Sequence, residues 1–240
     1  ADTFATYKAA VSKFLTGYVS QELKRLGMVN QWADDVEKRL QCILTKGKMT
    51  RGSLVCFAYE CKGKKITADV IKVASAIELV HMALLVHDDI MDEDTLRRGE
   101  RTLYAQYQDL AARTNCRNPN HFGESLGICV GDILIFLGFQ LIGTLDSINA
   151  KQAQRVVQYF SSELSGVALA QMQDMYFGAT RREITKKDVL QMYQYKTARY
   201  SFSLPLAVGS IMAKQDEATI RSLEEYGEAA GLIFQIRDDE

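Results

Sequence analysis

The sequence predicts an all-α protein, and three observations support that prediction. Apolar residues recur every three or four positions along most of the 240 residues, as in amphipathic helices. Proline, which breaks helices, occurs only at Pro119 and Pro205. Period-2 runs of β-branched residues, which are typical of strands, are absent. We therefore expect a single-domain helical bundle over residues 1–240.

Composition excludes some classes of partner. The formal net charge is −1, so no global field attracts nucleic acid or an anionic membrane. The most apolar segment, 128–142, contains Asp132 and is shorter than the roughly 20 residues of a membrane span, so we expect no transmembrane segment. The five cysteines are an odd number without C-x-x-C spacing, and we expect no secretory signal. They predict reduced, mostly buried thiols in a cytoplasmic protein.

The first half of the chain divides into four helices. Apolar spacing predicts helices over 4–26, 31–45 and 53–62, with Gly27 ending the first. Between the second and third lies a basic, glycine-containing loop over 46–52. Thr67 is the expected N-cap of the fourth helix. This helix leads through an apolar run into an acidic stretch, residues 88–94.

The second half is predicted to be helical as well. Helices are expected over 101–113, across the apolar run that holds Gly131 and Asp132, over 149–177, from Thr185 to about residue 213, and over 216–227 and 229–240. Asp132 in an apolar run requires a partner. Pro205 should kink or break its helix.

The acidic stretch is the main candidate for chemistry. In a helix, Asp88 and Asp92 share a face one turn apart, whereas Asp89 is rotated by about 100°. Two carboxylates that close are costly to ionise unless a cation lies between them, and oxygen ligands suit Mg²⁺. Arg97 and Arg98 follow with donors that match a phosphate. The alternative is a solvated helix end.

Further polar residues fit a diphosphate site. Lys48 and Arg51 flank the start of a helix, where N–H groups favour an anion, although a basic surface loop is the alternative. His81 lies two turns before Asp88, near the same face, and a core histidine is its simpler reading. Gln171 and Asp174 share one helical face.

Together these motifs resemble the trans-isoprenyl diphosphate synthases, also called polyprenyl synthases, over nearly the whole chain. The motifs that match, in order, are Gly47-Lys48-Met49-Thr50-Arg51, His81, Asp88-Asp89-Ile90-Met91-Asp92, Leu96-Arg97-Arg98-Gly99, Gly131-Asp132, Gln171 with Asp174, Lys196-Thr197, and Phe234-Gln235 with Asp238-Asp239. Gly52 stands where the family usually has proline.

The resemblance implies an isoprenoid synthase fold around a deep central cavity, usually in a homodimer. It implies three Mg²⁺ ions, held by Asp88, Asp92 and Asp238, with Asp89, Asp174 and Asp239 in support. It places Arg97, Lys196, Thr197 and Gln235 at an allylic diphosphate. It places Lys48, Arg51, His81 and Arg98 at isopentenyl diphosphate. The implied catalytic set is Asp88, Asp89, Asp92, Lys196 and Asp238.

The implied reaction is head-to-tail condensation. Residues on the helix before Asp88 should limit the chain length of the product, and we call them the ruler residues. One isoprene unit is about as long as one helical turn of roughly 5.4 Å. Ala83 and Leu84 stand where short-product members often carry an aromatic residue, and Val80 and Ile77 follow, with Leu134 or Phe136 opposite. We expect a product of C20 or longer.

Three alternatives remain within this resemblance. A class I terpene cyclase would use the same acids but has no second diphosphate to bind. A non-catalytic subunit of a heteromeric synthase typically lacks aspartates that this chain has at Asp88, Asp89 and Asp92. A head-to-head condensing enzyme fits Arg97-Arg98-Gly99 less well. Family members usually continue for several helices after the second aspartate motif, so the chain is expected to lack those helices.

Overall fold

The computed structural model describes residues 2–181 and 183–238, and these are almost entirely helical. The α-helices are α1 (Thr3–Leu26), α2 (Trp32–Gln41), α3 (Thr50–Glu60), α4 (Ala68–Met91), α5 (Leu103–Arg113), α6 (Pro119–Ile142), α7 (Ala150–Ala179), α8 (Lys186–Tyr193), α9 (Leu204–Met212) and α10 (Glu217–Asp238). A π-helix (Gln194–Ser203) joins α8 to α9. The predicted all-α class is confirmed.

Local signals explain most helix boundaries. Thr67 Oγ1 accepts from Val70 N, and Thr185 forms the expected capping box with Asp188. Pro205 lies in the first turn of α9, where proline is tolerated, and the chain passes from the π-helix into α9 without a break. A kink at this proline stays a prediction. The prediction of two separate helices, divided after Gly227, was wrong, because α10 is continuous from Glu217 to Asp238.

One compact unit contains the start of the chain to Val11, Lys48–Ala74, and the chain from Ile142 onward. Its core packs α3 on α9 and α10 on the π-helix. Buried apolar side chains of this unit include Val55, Cys56, Phe160, Leu204 and Leu206. The loop before α7 is tied to α4 by Asp69, whose carboxylate accepts from two backbone N–H groups of that loop.

The other compact unit contains Ser12–Gly47 and Ser75–Leu141. It includes a short antiparallel hairpin of β1 (Leu96–Arg97) and β2 (Glu100–Arg101). Within this unit α6 lies close to α4, since a Cβ added at Gly138 would stand 3.0 Å from Val80 Cγ2. The prediction of one domain around a central cavity stays a prediction.

Two sequence expectations concern membrane-spanning segments and the burial of cysteines. The helices α4 and α6 are long and apolar enough to cross a membrane, with 61% and 44% of their most apolar windows buried. Core helices of soluble proteins pass the same test, so this is weak evidence for a span. The cysteines are free, but only Cys56 is buried and Cys116 is half-buried; the other three are exposed. The expectation of mostly buried thiols was therefore wrong.

Candidate diphosphate and metal site

The acidic stretch continues the register of α4. The backbone N–H of Asp92 donates to the carbonyl of Asp88 at 2.8 Å, so the two residues lie one turn apart as expected. Asp92 is exposed, and the Asp88 side chain is 22% exposed. The last turn of α4 carries no basic residue. The negative end of the helix dipole therefore adds to the negative charge of these carboxylates, which favours a cation.

Arg97 contacts the acidic stretch from the hairpin. Its Nε lies 2.5 Å from Asp89 Oδ1, and its Nη2 lies 3.4 Å from Asp88 Oδ2. Asp89 is 5% exposed, and its burial raises the pKa of the carboxyl to about 6 although Arg97 opposes this shift. Arg97 thus neutralises the one buried carboxylate of the stretch. Its predicted role at an allylic diphosphate stays a prediction.

The hairpin that carries Arg97 and Arg98 was missed from the sequence. Strand register pairs Arg97 with Glu100, so Arg98 and Gly99 form a two-residue turn, with φ of 54° and 80°. Two positive φ values are the signature of a type I′ turn, for which glycine at the second position is the recognisable signal. Arg98 is strained there, because a left-handed backbone conformation is unfavourable for a residue other than glycine. Its Nη1 donates to the carbonyl of Lys46 at 3.4 Å, two positions before Lys48 in the sequence.

Asp132 lies near His87 but is not the buried acid that the apolar run suggested. Its Oδ1 lies 3.8 Å from His87 Nε2, which also contacts the carbonyl of Ile128 at 3.2 Å. The Asp132 side chain is 50% exposed, so the acid is less buried than its apolar neighbours suggested. A Cβ added at Gly131 would stand 2.1 Å from His87 Nε2. Gly131 therefore makes room for the histidine that precedes Asp88.

The basic loop leads into α3 in the other unit. Met49, buried and left-handed at φ 52°, is the N-cap residue. Arg51 donates from Nη2 to Ser201 Oγ at 2.6 Å and lies over the Tyr200 ring at 4.9 Å. Within the described part of the chain, Arg51 Nε is buried without a hydrogen-bond partner. An unsatisfied buried N–H is costly, so an anion oxygen would suit this guanidinium. Lys48 is exposed.

Two other predicted motifs meet in that same unit. Lys196 Nζ, on the π-helix, lies 2.5 Å from Asp174 Oδ2 on α7. Gln171, one turn earlier on α7, has a buried Nε2 without a hydrogen-bond partner among the described residues. Thr197 is half-buried.

The remaining predicted residues occupy helix positions of differing exposure. Gln235 is half-buried and Asp238 is exposed at the end of α10, whereas Asp239 lies outside the described residues. His81 is half-buried on α4. In residues 2–181 and 183–238 no three His, Cys, Asp or Glu side chains form a group that could hold a metal alone. A bound ion would need further ligands from substrate or water.

The proposed ruler residues are buried on α4. Ala83, Val80 and Ile77 are at most 1% exposed, and Leu84 is half-buried. Of the two residues suggested opposite them, Leu134 is buried. Phe136 is 69% exposed and is not part of a buried lining.

Sequence comparison matches residues 33–240 to the polyprenyl synthetase family. A short chain isoprenyl diphosphate synthase of Methanothermobacter thermautotrophicus is 34% identical over 198 residues, covering 82% of this chain and 54% of the relative. A farnesyl diphosphate synthase of Bacillus subtilis is 31% identical over 199 residues, covering 80% of this chain and 61% of the relative. The chain spans about half the length of the first curated relatives it matches.

Solved structures show the same fold. A geranylgeranyl pyrophosphate synthase from Corynebacterium glutamicum, complexed with isoprenyl diphosphate and magnesium, has a TM-score of 0.89 at 23% identity and covers 97% of this chain and 67% of its own. A decaprenyl diphosphate synthase from Rhodobacter capsulatus has a TM-score of 0.78 at 26% identity and covers 100% of this chain and 64% of its own.

Proposed function

Because the chain belongs to the polyprenyl synthetase family, we propose that it is a magnesium-dependent trans-prenyltransferase. The substrates would be isopentenyl diphosphate and an allylic diphosphate. The observation that supports this most is the arrangement of Asp88 and Asp92 one turn apart at the C-terminal end of α4. That proposal includes a homodimeric, cytoplasmic enzyme, as the family resemblance implies.

The donor set at the end of α4 fits Mg²⁺. Asp88 and Asp92 offer only oxygen ligands, which suit this hard ion. Arg97 pairs mainly with Asp89, at 2.5 Å against 3.4 Å for Asp88. Two carboxylates are the usual protein contribution where substrate phosphates complete the coordination. Asp238 is proposed as the protein ligand of a third ion.

The basic side chains divide between two diphosphates in this proposal. Lys48, Arg51, His81 and Arg98 would bind isopentenyl diphosphate, and Arg97, Lys196, Thr197 and Gln235 would bind the allylic substrate. The buried, unpartnered Nε of Arg51 supports an anion close to α3. The ion pair of Lys196 with Asp174 supports a lysine held in a fixed direction.

The reaction proposed for these residues needs no side-chain nucleophile. Bound Mg²⁺ would neutralise charge that develops on the leaving diphosphate. Lys196 would hold the same diphosphate through charge-assisted hydrogen bonds as the allylic C–O bond breaks. Arg51 and Arg98 would hold isopentenyl diphosphate so that its double bond forms the new C–C bond. A proton then leaves to the departing diphosphate, and exclusion of water protects the carbocation.

One assay tests this proposal. The protein is incubated with Mg²⁺, labelled isopentenyl diphosphate and allylic starters of five, ten or fifteen carbons, and products are separated by chain length. Labelled products of C20 or longer are expected. Cyclised products made without isopentenyl diphosphate would indicate a terpene cyclase instead. Clean termination at C15 would contradict the proposed ruler, and no consumption under any condition would contradict the enzyme.

A further inference from the structure

The π-helix is held to its neighbours by one arginine that the proposed reaction does not use. Arg199 donates from Nε to Glu163 Oε2 at 3.0 Å, and a second bond from its Nη2 to Oε1 completes a fork. Its Nη1 reaches Glu228 Oε2 at 3.1 Å. Glu163 lies on α7 and Glu228 on α10, so one guanidinium links three helices. Glu163 is 9% exposed and is the most buried of these three side chains.

Close packing supports the same attachment. A Cβ added at Gly231 would lie 2.5 Å from Ala198 Cα, and one at Gly227 would lie 2.8 Å from Ser203 N. The backbone of α10 therefore lies directly against the π-helix on both sides of Glu228. Gln194, the first π-helical residue, also donates to Glu228 Oε1 at 2.5 Å.

Arg199 and Lys196 contact α7 at two different positions along its axis. Glu163 and Asp174 are eleven residues apart, about three turns, so they share one face of α7 with about 16 Å between them along its axis. Arg199 contacts Glu163 and Lys196 contacts Asp174, although the two basic residues are only three positions apart. Extended π-helices are uncommon, and i→i+5 bonding makes a wider turn than an α-helix. Lys196 and Arg199 both lie within this π-helix, so its register affects both contacts.

We propose that Arg199, bound to Glu163 and Glu228, is a positioning residue that fixes the π-helix register and thereby directs the Lys196 ammonium. The inference rests on the proposed function for its effect on rate. A planar guanidinium serves two carboxylates at once, which lysine cannot do with the same geometry. Arg199 touches no substrate in this scheme and acts through Lys196.

The test compares two matched pairs of ionic residues. The variant Glu163→Gln with Arg199→Gln removes the buried carboxylate and its half-buried partner together, so Glu163 is not left as an unpaired buried charge. Arg155 and Glu217 join α7 to α10 without touching the π-helix, so Arg155→Gln with Glu217→Gln is the control. The rate at which acetic anhydride acetylates Lys196 is measured by mass spectrometry, together with kcat for labelled isopentenyl diphosphate.

Acetylation of Lys196 should rise about threefold or more in the Glu163/Arg199 variant and stay unchanged in the control. The kcat should fall about 10- to 100-fold in that variant alone, because small misplacements are costly in catalysis. Unchanged acetylation, an equal rise in both variants, or an unchanged kcat would overturn the inference. If the wild type makes no product, the proposed function fails, and acetylation still decides whether Arg199 directs Lys196.

A single substitution provides a second test that keeps the buried charge compensated. Arg199→Lys should lower kcat in the wild-type background and leave kcat unaltered in a Lys196→Met background, since Arg199 acts through that lysine. An equal fall in both backgrounds would assign Arg199 a general structural role and overturn the proposal.

Discussion

Asp69→Asn should weaken the fold at neutral pH and lose its effect in acid. The Asp69 carboxylate is 5% exposed and accepts from the backbone N–H groups of Ser147 at 2.6 Å and Asp146 at 2.8 Å. Lys72 Nζ lies 3.0 Å from its other oxygen. Burial alone would raise the pKa of Asp69, but these donors outweigh it and lower the pKa from 3.8 to about 2.

The size of the effect follows from that shift. A difference of roughly two pKa units corresponds to about 2–3 kcal/mol of unfolding free energy. The pKa is lower in the folded state, so this stability is present above the unfolded value of 3.8 and is lost as pH falls through about 2. Asp69→Asn should therefore lose about 2–3 kcal/mol at pH 7 and well under 1 kcal/mol near pH 2.

Urea denaturation of the wild type and of the variant at pH 7, 5, 3 and 2 measures these differences. The control is Asp146→Asn, which keeps its backbone N–H and changes a side chain that is 94% exposed, 3.8 Å from Lys72. That change should stay within about 0.5 kcal/mol at every pH. An equal loss for Asp69→Asn at pH 7 and pH 2 would refute the electrostatic explanation, as would no loss at pH 7.

Three other substitutions separate packing, strain and product length. Arg98→Gly should add about 1 kcal/mol of stability by relieving its left-handed φ of 54°, yet raise KM for isopentenyl diphosphate; a loss of stability or an unchanged KM would count against these roles. Gly131→Ala should lose about 1–3 kcal/mol by denaturation, because its Cβ would overlap His87, whereas Gly17→Ala, with nothing within 4 Å, should be neutral or stabilising. Equal effects of the two changes would contradict the packing argument. Ala83→Phe should shorten the product, which chain-length analysis detects; an unchanged product would remove Ala83 from the ruler.

Periodicity was sufficient to predict the helices but not their special geometry. Apolar spacing over 4–26 predicted α1 to within one residue, because a long amphipathic stripe has few competing arrangements. Ten residues cannot distinguish an α from a π repeat by pattern alone, so the Gln194–Ser203 segment was read as ordinary helix. Gly227 was read as a helix end because glycine often is one. In the fold, its missing side chain lets Ser203 backbone approach α10.

The sequence predicted which residues belong to the candidate site better than it predicted which residues they contact. Lys196 and Asp174 were both singled out from the sequence, but their ion pair was not predicted. The contact between Arg97 and Asp89 could not, because an arginine suited to a phosphate is equally suited to a carboxylate. The hairpin turn at Arg98 and Gly99 decides which acid Arg97 reaches. That turn was detectable in principle from the glycine.

The central claim is that Asp88 and Asp92 act as the metal carboxylates of a prenyltransferase. The most direct measurement is Mg²⁺-dependent consumption of labelled isopentenyl diphosphate by the wild type, Asp88→Asn, Asp92→Asn and Glu93→Gln. Glu93 is exposed beside Asp92 and lies outside the proposed site. The wild type and Glu93→Gln should turn over at similar rates, while each aspartate variant should lose about 100-fold or more in kcat/KM. Full activity in Asp88→Asn and Asp92→Asn, or activity without a divalent cation, would contradict the claim.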